Sequence, residues 1–142
     1  MSVMLGSMAV ETVVNYLNSQ KLESIIVDSV GKPLLLVAYK YDKPSTVRGE
    51  YIAVNHLPFR HKGTVEEGVV NINIHSPKMK SGEANTKRLE YLAQVVSGLF
   101  PEDTYLGKAF YEFLTDSRPT PDNDNTYYVN IQLNVIFNNL NY

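Results

Sequence analysis

Tyr127-Tyr128-Val129-Asn130-Ile131-Gln132-Leu133-Asn134-Val135-Ile136-Phe137 is the stretch that decides the fold. Every odd position is apolar, and the even positions include Asn130, Gln132 and Asn134. Successive side chains of a β-strand point to opposite faces, so this alternation predicts a long strand with one buried and one polar face. The polar face carries amides rather than charges. A neutral amide surface suits water, a neighbouring strand or another subunit equally well.

Outward from this strand, the same period recurs in residues 69–75, where Val70, Ile72 and Ile74 take one face and Asn71, Asn73 and His75 the other, with Pro77 as a stop. Residues 51–56 form another strand candidate, ended by Pro58. The β-branched run 25–27, within residues 24–29, adds a strand; after Gly31-Lys32-Pro33 the apolar run 34–39 fits a strand buried on both faces or part of a helix, and its length and the following Asp42-Lys43-Pro44 favour a strand. Residues 59–68, with Arg60, His61, Lys62, Glu66 and Glu67, read as a solvated loop.

Two helices are predicted. Val10, Val13, Val14 and Leu17 recur at helical spacing over residues 8–19, with Ser7 as a candidate cap. Leu89, Leu92, Val96 and Leu99 do the same in a helix opened by Ser81-Gly82-Glu83 and closed before Pro101. Residues 105–116 fit a helix or a strand, and a strand over 108–115 is preferred. The run Arg118-Pro119-Thr120-Pro121-Asp122-Asn123-Asp124-Asn125 is a strong turn signal. It joins that strand to the final one as a hairpin, through a loop long enough to project outward. The expected fold is α+β: a mainly antiparallel sheet, two helices packed on one face and a long C-terminal β-hairpin.

With 142 residues, 44% of them apolar and no repeat or linker, the chain is expected to form a single domain over residues 1–142. A charged fraction of 20% and a net charge of −2 give no global attraction to nucleic acid or to an anionic membrane. The absence of cysteine excludes disulfides, thiolate metal sites and thiol catalysis. Residues 1–9 are apolar but short and lack a basic flank, so they are not read as a signal peptide. No apolar run approaches the ~20 residues of a membrane span. Ten tyrosines without tryptophan suit either contact surfaces or plain strand propensity.

Candidate chemistry is sparse. His56, His61 and His75 have the ligand type for zinc, but no carboxylate accompanies them at a recognised spacing. Glu66-Glu67 falls in the expected loop. Asp122 and Asp124 resemble a fragment of a calcium loop, without its glycine or its later glutamate. There is no nucleophile elbow, phosphate loop or dinucleotide fingerprint. No catalytic residue, metal or cofactor is assigned. Lys78, Lys80, Lys87 and Arg88 form one local basic patch, suited to DNA phosphates, an acidic neighbour or simple solvation. Asn71, Asn73, Asn130, Gln132, Asn134 and Asn138 give strand faces that are neutral and cost little to desolvate once paired.

The run Gly68-Val69-Val70-Asn71-Ile72-Asn73-Ile74-His75-Ser76-Pro77, followed by a polar loop and an amphipathic helix, resembles the tail terminator (tail completion) proteins of long-tailed bacteriophages. Their central strand reads roughly V-N-V-N-I-x-x-P. Tyr51-Ile52-Ala53-Val54-Asn55 resembles their Y-I-V-I-N segment, and the closing hairpin falls in the same order. The chain departs from them in the strongly apolar run 34–41 and in loop 119–125. The resemblance implies a non-enzymatic virion protein, made in the bacterial cytoplasm and placed at the tail neck. It implies a ring of identical copies, commonly six, that caps the tail tube, ends its polymerisation and docks the neck or head completion protein. DNA passes through its pore without sequence-specific binding, and no membrane is involved. The interface candidates are Asn71, Asn73, Asn130, Gln132 and Asn134 on the strands, with Arg60, Lys78, Lys80, Lys87 and Arg88 on the rims. The other readings are a different head–tail connector, a small nucleic-acid-binding module using the basic patch, and a metal enzyme using the three histidines.

Overall fold

A computed structural model describes residues 5–20, 22, 36–47, 49–101, 104–106, 109–122 and 125–138. Their elements run α1 (Gly6–Ser19), β1 (Ala38–Lys40), β2 (Tyr51–His56), β3 (Arg60–Lys62), β4 (Val65–Pro77), α2 (Thr86–Ser97), β5 (Thr104–Leu106), β6 (Ala109–Asp116), β7 (Thr120–Pro121) and β8 (Thr126–Asn138). The expected strand over residues 24–29 and the start of the run 34–39 lie outside the described residues.

The expected α+β architecture is present. One sheet has the order β1-β2-β4-β8-β6-β5, with β3 added beside β4 and β7 beside β8. All pairs are antiparallel except β1 with β2. Its spine is the full-length ladder of β4 with β8, from Val65↔Asn138 to Pro77↔Thr126. Register explains the two faces. Ile72 sits opposite Ile131 and Val70 opposite Leu133, so the apolar sets of the two strands share one face. Asn71 opposes Gln132 and Asn73 opposes Asn130 on the other.

Both helices lie on the apolar face. Ala9, Val10, Val13, Val14 and Leu17 of α1 join Leu92 and Val96 of α2 in one core with Ile52, Val54, Val70, Ile72, Ile74, Ile131, Leu133 and Val135. Burying an aliphatic side chain of this size is worth about 1.5–3 kcal/mol, so this face supplies most of the stabilisation. Tyr111 also lies wholly inside it.

Local details differ from the sequence expectations. Residues 59–68 are not a loop: β3 and the start of β4 form a hairpin, with Arg60↔Glu67 and His61↔Glu66 in register. α1 begins at Leu5, which caps it with no side-chain bond, so the expected cap by Ser7 is absent. Ser81-Gly82-Glu83 is a turn rather than the opening of α2. Gly82 has φ 87°, and Met79 N donates to Glu83 O at 2.9 Å. The cap is Asn85, whose Oδ1 accepts from Arg88 N. Residues 104–106 and 109–116 are strands, which resolves the helix-or-strand alternative for this region. The 118–125 connection does not simply project. Its Thr120–Pro121 segment folds back beside β8.

A candidate interaction face

Five amides, Asn55, Asn71, Asn73, Asn130 and Gln132, occupy the centre of the polar face. Asn71 is the hub: its Nδ2 donates to Asn55 Oδ1 at 2.8 Å, and its Oδ1 accepts from Asn130 Nδ2 at 3.2 Å and Gln132 Nε2 at 3.1 Å. Asn130 Nδ2 also donates to Asn73 Oδ1 at 2.8 Å. At the margin, Asn134 Nδ2 donates to Glu112 Oε1 at 3.0 Å. These contacts join four neighbouring strands, β2, β4, β8 and β6, by side chains above their backbone ladder. They follow directly from register, since Asn55 lies opposite Asn71 and Asn71 opposite Gln132.

The amides are half-buried, and Asn55, Asn71, Asn73 and Asn130 line a shallow, open hollow of about 380 Å³ with Ser117, Thr120 and Tyr128. Among the described residues that lining holds hydroxyls, amides and one phenol and no charged side chain. The internal bonds hold the side chains in place, while each primary amide retains donor or acceptor capacity beyond them. The face can therefore present an ordered, uncharged hydrogen-bonding pattern.

Beside the amides stands an aromatic row. Tyr51, His75 and Tyr128 are consecutive cross-strand neighbours on β2, β4 and β8. The rings of Tyr51 and His75 stack at 4.2 Å and 10°, and His75 meets Tyr128 at 5.2 Å. His75 is buried, with Nδ1 3.0 Å from Thr126 Oγ1 and 3.6 Å from Asp122 Oδ2.

The basic candidates differ in how far the fold engages them. Arg88 is committed to Glu50, its Nε donating to Oε2 and its Nη2 to Oε1, both at 2.9 Å. Ser76 Oγ donates to the same carboxylate at 2.9 Å. This bidentate pair ties the first turn of α2 to the start of β2 and the end of β4. Lys78 lies over the Tyr127 ring at 5.8 Å, whereas Lys80 and Lys87 are exposed. Arg60 is exposed on the β3 hairpin, near the other end of β4.

The three histidines are dispersed. His56 contacts Leu57 O and Tyr41 Oη, His61 contacts Glu66, and His75 contacts Thr126. Among the described residues no group of three or more His, Cys, Asp or Glu side chains is placed to hold a metal ion, and no helix is long and apolar enough to cross a membrane.

Sequence reasoning missed two features. Glu66 is 2% exposed, on the face of β4 that carries Val70, Ile72 and Ile74, and its Oε1 lies 3.3 Å from His61 Nδ1. Its even position in β4 was the signal. The other is Tyr111, a buried phenol whose Oη has no hydrogen-bond partner at bonding distance among the described residues. Burial pushes its pKa up to about 12, and the Thr12 hydroxyl offsets part of that rise.

No family model matches the chain, and no curated protein matches it. Fourteen chains of solved structures do. One of them, whose name carries no functional description, has a TM-score of 0.54 at 16% sequence identity, over 89% of this chain and 94% of its own. At that identity the likeness shows a shared fold alone.

Proposed function

We propose that this protein is a passive assembly unit, a tail terminator of a long-tailed bacteriophage, whose copies close a ring on the end of the tail tube. The observation that carries the reading is the neutral, mutually bonded amide face centred on Asn71, Asn73, Asn130 and Gln132. A charged face repels an identical copy and is expensive to desolvate. A prearranged amide face avoids both costs, because its side chains already hold fixed positions and its remaining donors and acceptors pair with a neighbour's. The strand motifs and element order that resemble terminator proteins add independent support.

In this reading the sheet is a rigid wedge. A heterologous contact between wedges closes by cyclic symmetry, and six copies is the expected number from the resemblance. Arg60 on its hairpin and the 118–125 connection lie on rims available to the tube. Lys78, Lys80 and Lys87 lie on a rim available to the neck protein or to the DNA in the pore. Arg88, paired with Glu50, braces that rim from within the subunit. The ring has a structural role in the virion and performs no reaction.

Deletion of the gene tests the assignment. A terminator leaves overlong or undocked tails, while a stopper or other neck component leaves tails of normal length beside leaking heads. Steeply salt-dependent DNA binding by the isolated protein would instead support a nucleic-acid module.

A further inference from the structure

We propose that His75 and Asp122 form a pH-sensitive latch that fastens the β7 strap to the sheet. β7 has only two residues, and one of them, Pro121, has no N–H to give to a ladder. Backbone pairing is correspondingly thin: Thr120↔Tyr128, Pro121↔Tyr127 and the bond from Asp122 N to Thr126 O at 3.0 Å. Side chains have to supply the rest of the hold. Asp122 opposes Thr126 across the hairpin, which brings its Oδ2 to 3.6 Å from Nδ1 of His75 on β4, two strands from β7.

The pocket around His75 is built for a charge that comes and goes. Among the described residues, the titratable and charged groups facing it are Tyr51 from β2, Tyr128 from β8 and Asp122 from the strap. Lys43 stands behind the Tyr51 ring, at 5.6 Å. Glu50, next to Tyr51, is occupied by Arg88 and Ser76. Neutral His75 gives Asp122 no full charge to pair with. Protonated His75 places a cation beside that carboxylate and against the faces of two tyrosines. Asp122 is 39% exposed, so its carboxylate faces both the ring and water. Acid that protonates His75 therefore tightens the strap. Thr120 of the strap and Ser117 before it line the amide hollow, so the latch sets the shape of that face. The latch is a property of the single chain and stands whether or not copies assemble.

Amide hydrogen exchange followed by NMR at pH 7.5 and 5.5, corrected for intrinsic rates, tests it. Protection of the Asp122 and Tyr128 amides, relative to Ile72 and Ile131, is expected to rise about two- to fivefold at the lower pH, the range a partly exposed ion pair supplies. The rise vanishes in Asp122→Asn, which keeps the side chain's size. Protection that is unchanged or lower in acid, or a rise that survives Asp122→Asn, overturns the proposal. Should Asp122→Asn fail to fold, the ring signals of His75 in the unaltered protein decide. Titration of His75 in step with strap protection supports the latch, and a His75 that stays neutral to pH 5 overturns it.

Discussion

The two faces of the central ladder are made from the same residues of the same two strands, yet they do opposite jobs. On one, Ile72 faces Ile131 beneath the helices, and both are fully buried. On the other, Asn71 faces Gln132 and the side chains bond one another without a covering layer of helices. The first face gains its free energy from removing apolar surface from water. The second gains little, because each amide bond replaces one to water. The difference teaches that stability is concentrated on one side of this sheet, leaving the other free to be shaped for recognition.

Substitutions on the two faces should separate accordingly. Ile72→Ala opens a cavity in the core and should cost about 2–5 kcal/mol, measured by urea denaturation. A cost below 1 kcal/mol would break the contrast between the faces. Arg88→Ala strips the partly buried Glu50 carboxylate of its bidentate partner and should cost about 1–3 kcal/mol, read as a lowered melting temperature. Arg88→Lys should recover only part of this, because an ammonium makes no fork. Asn130→Asp, on the amide face, should change the stability of the single chain by about 1 kcal/mol or less while abolishing self-association. It places an anion on a face that otherwise owes its compatibility to neutrality.

A pH dependence, felt only in alkali, comes from the buried side. The Tyr111 pKa lies above its ordinary value, at about 12. The folded state therefore prefers the neutral phenol, and the stabilisation is complete below the ordinary tyrosine value near 10 and is lost as pH rises towards 12. Ultraviolet titration should show one tyrosine ionising only at that alkaline end or on unfolding, and Tyr111→Phe should remove the step. Ionisation of every tyrosine near pH 10 in the folded protein would contradict it.

The sequence made one kind of information plain and hid another. β8 was legible because it is half covered, so its burial is written as alternation. β4 from Val69 onward was legible for the same reason, whereas Tyr51–His56, buried at each of its first four residues, carries no such alternation. Residues 60–67 misled because charged side chains resemble a solvated loop, although Glu66 shares parity with Val70 and Ile72 and is buried with them. The opening of α2 was misplaced because Ser81-Gly82-Glu83 looks like a cap, while Gly82 in a left-handed conformation closes a turn first. The amides of the candidate face were readable one strand at a time, but their union through Asn71 depends on register between strands 59 or more residues apart. The pairing of Arg88 with Glu50, 38 residues away, is hidden in the same way. A cation that reads as a plain surface charge in the sequence forms a bidentate pair within the fold.

Light scattering coupled to size separation, on the unaltered protein and on Asn130→Asp, alone and beside tail tubes, is the most direct trial of the amide face as a subunit contact. The account predicts a closed oligomer for the unaltered chain and a folded single chain, with nearly unchanged melting, for the variant. A strict monomer under every condition, or an oligomer indifferent to the new charge, would contradict it.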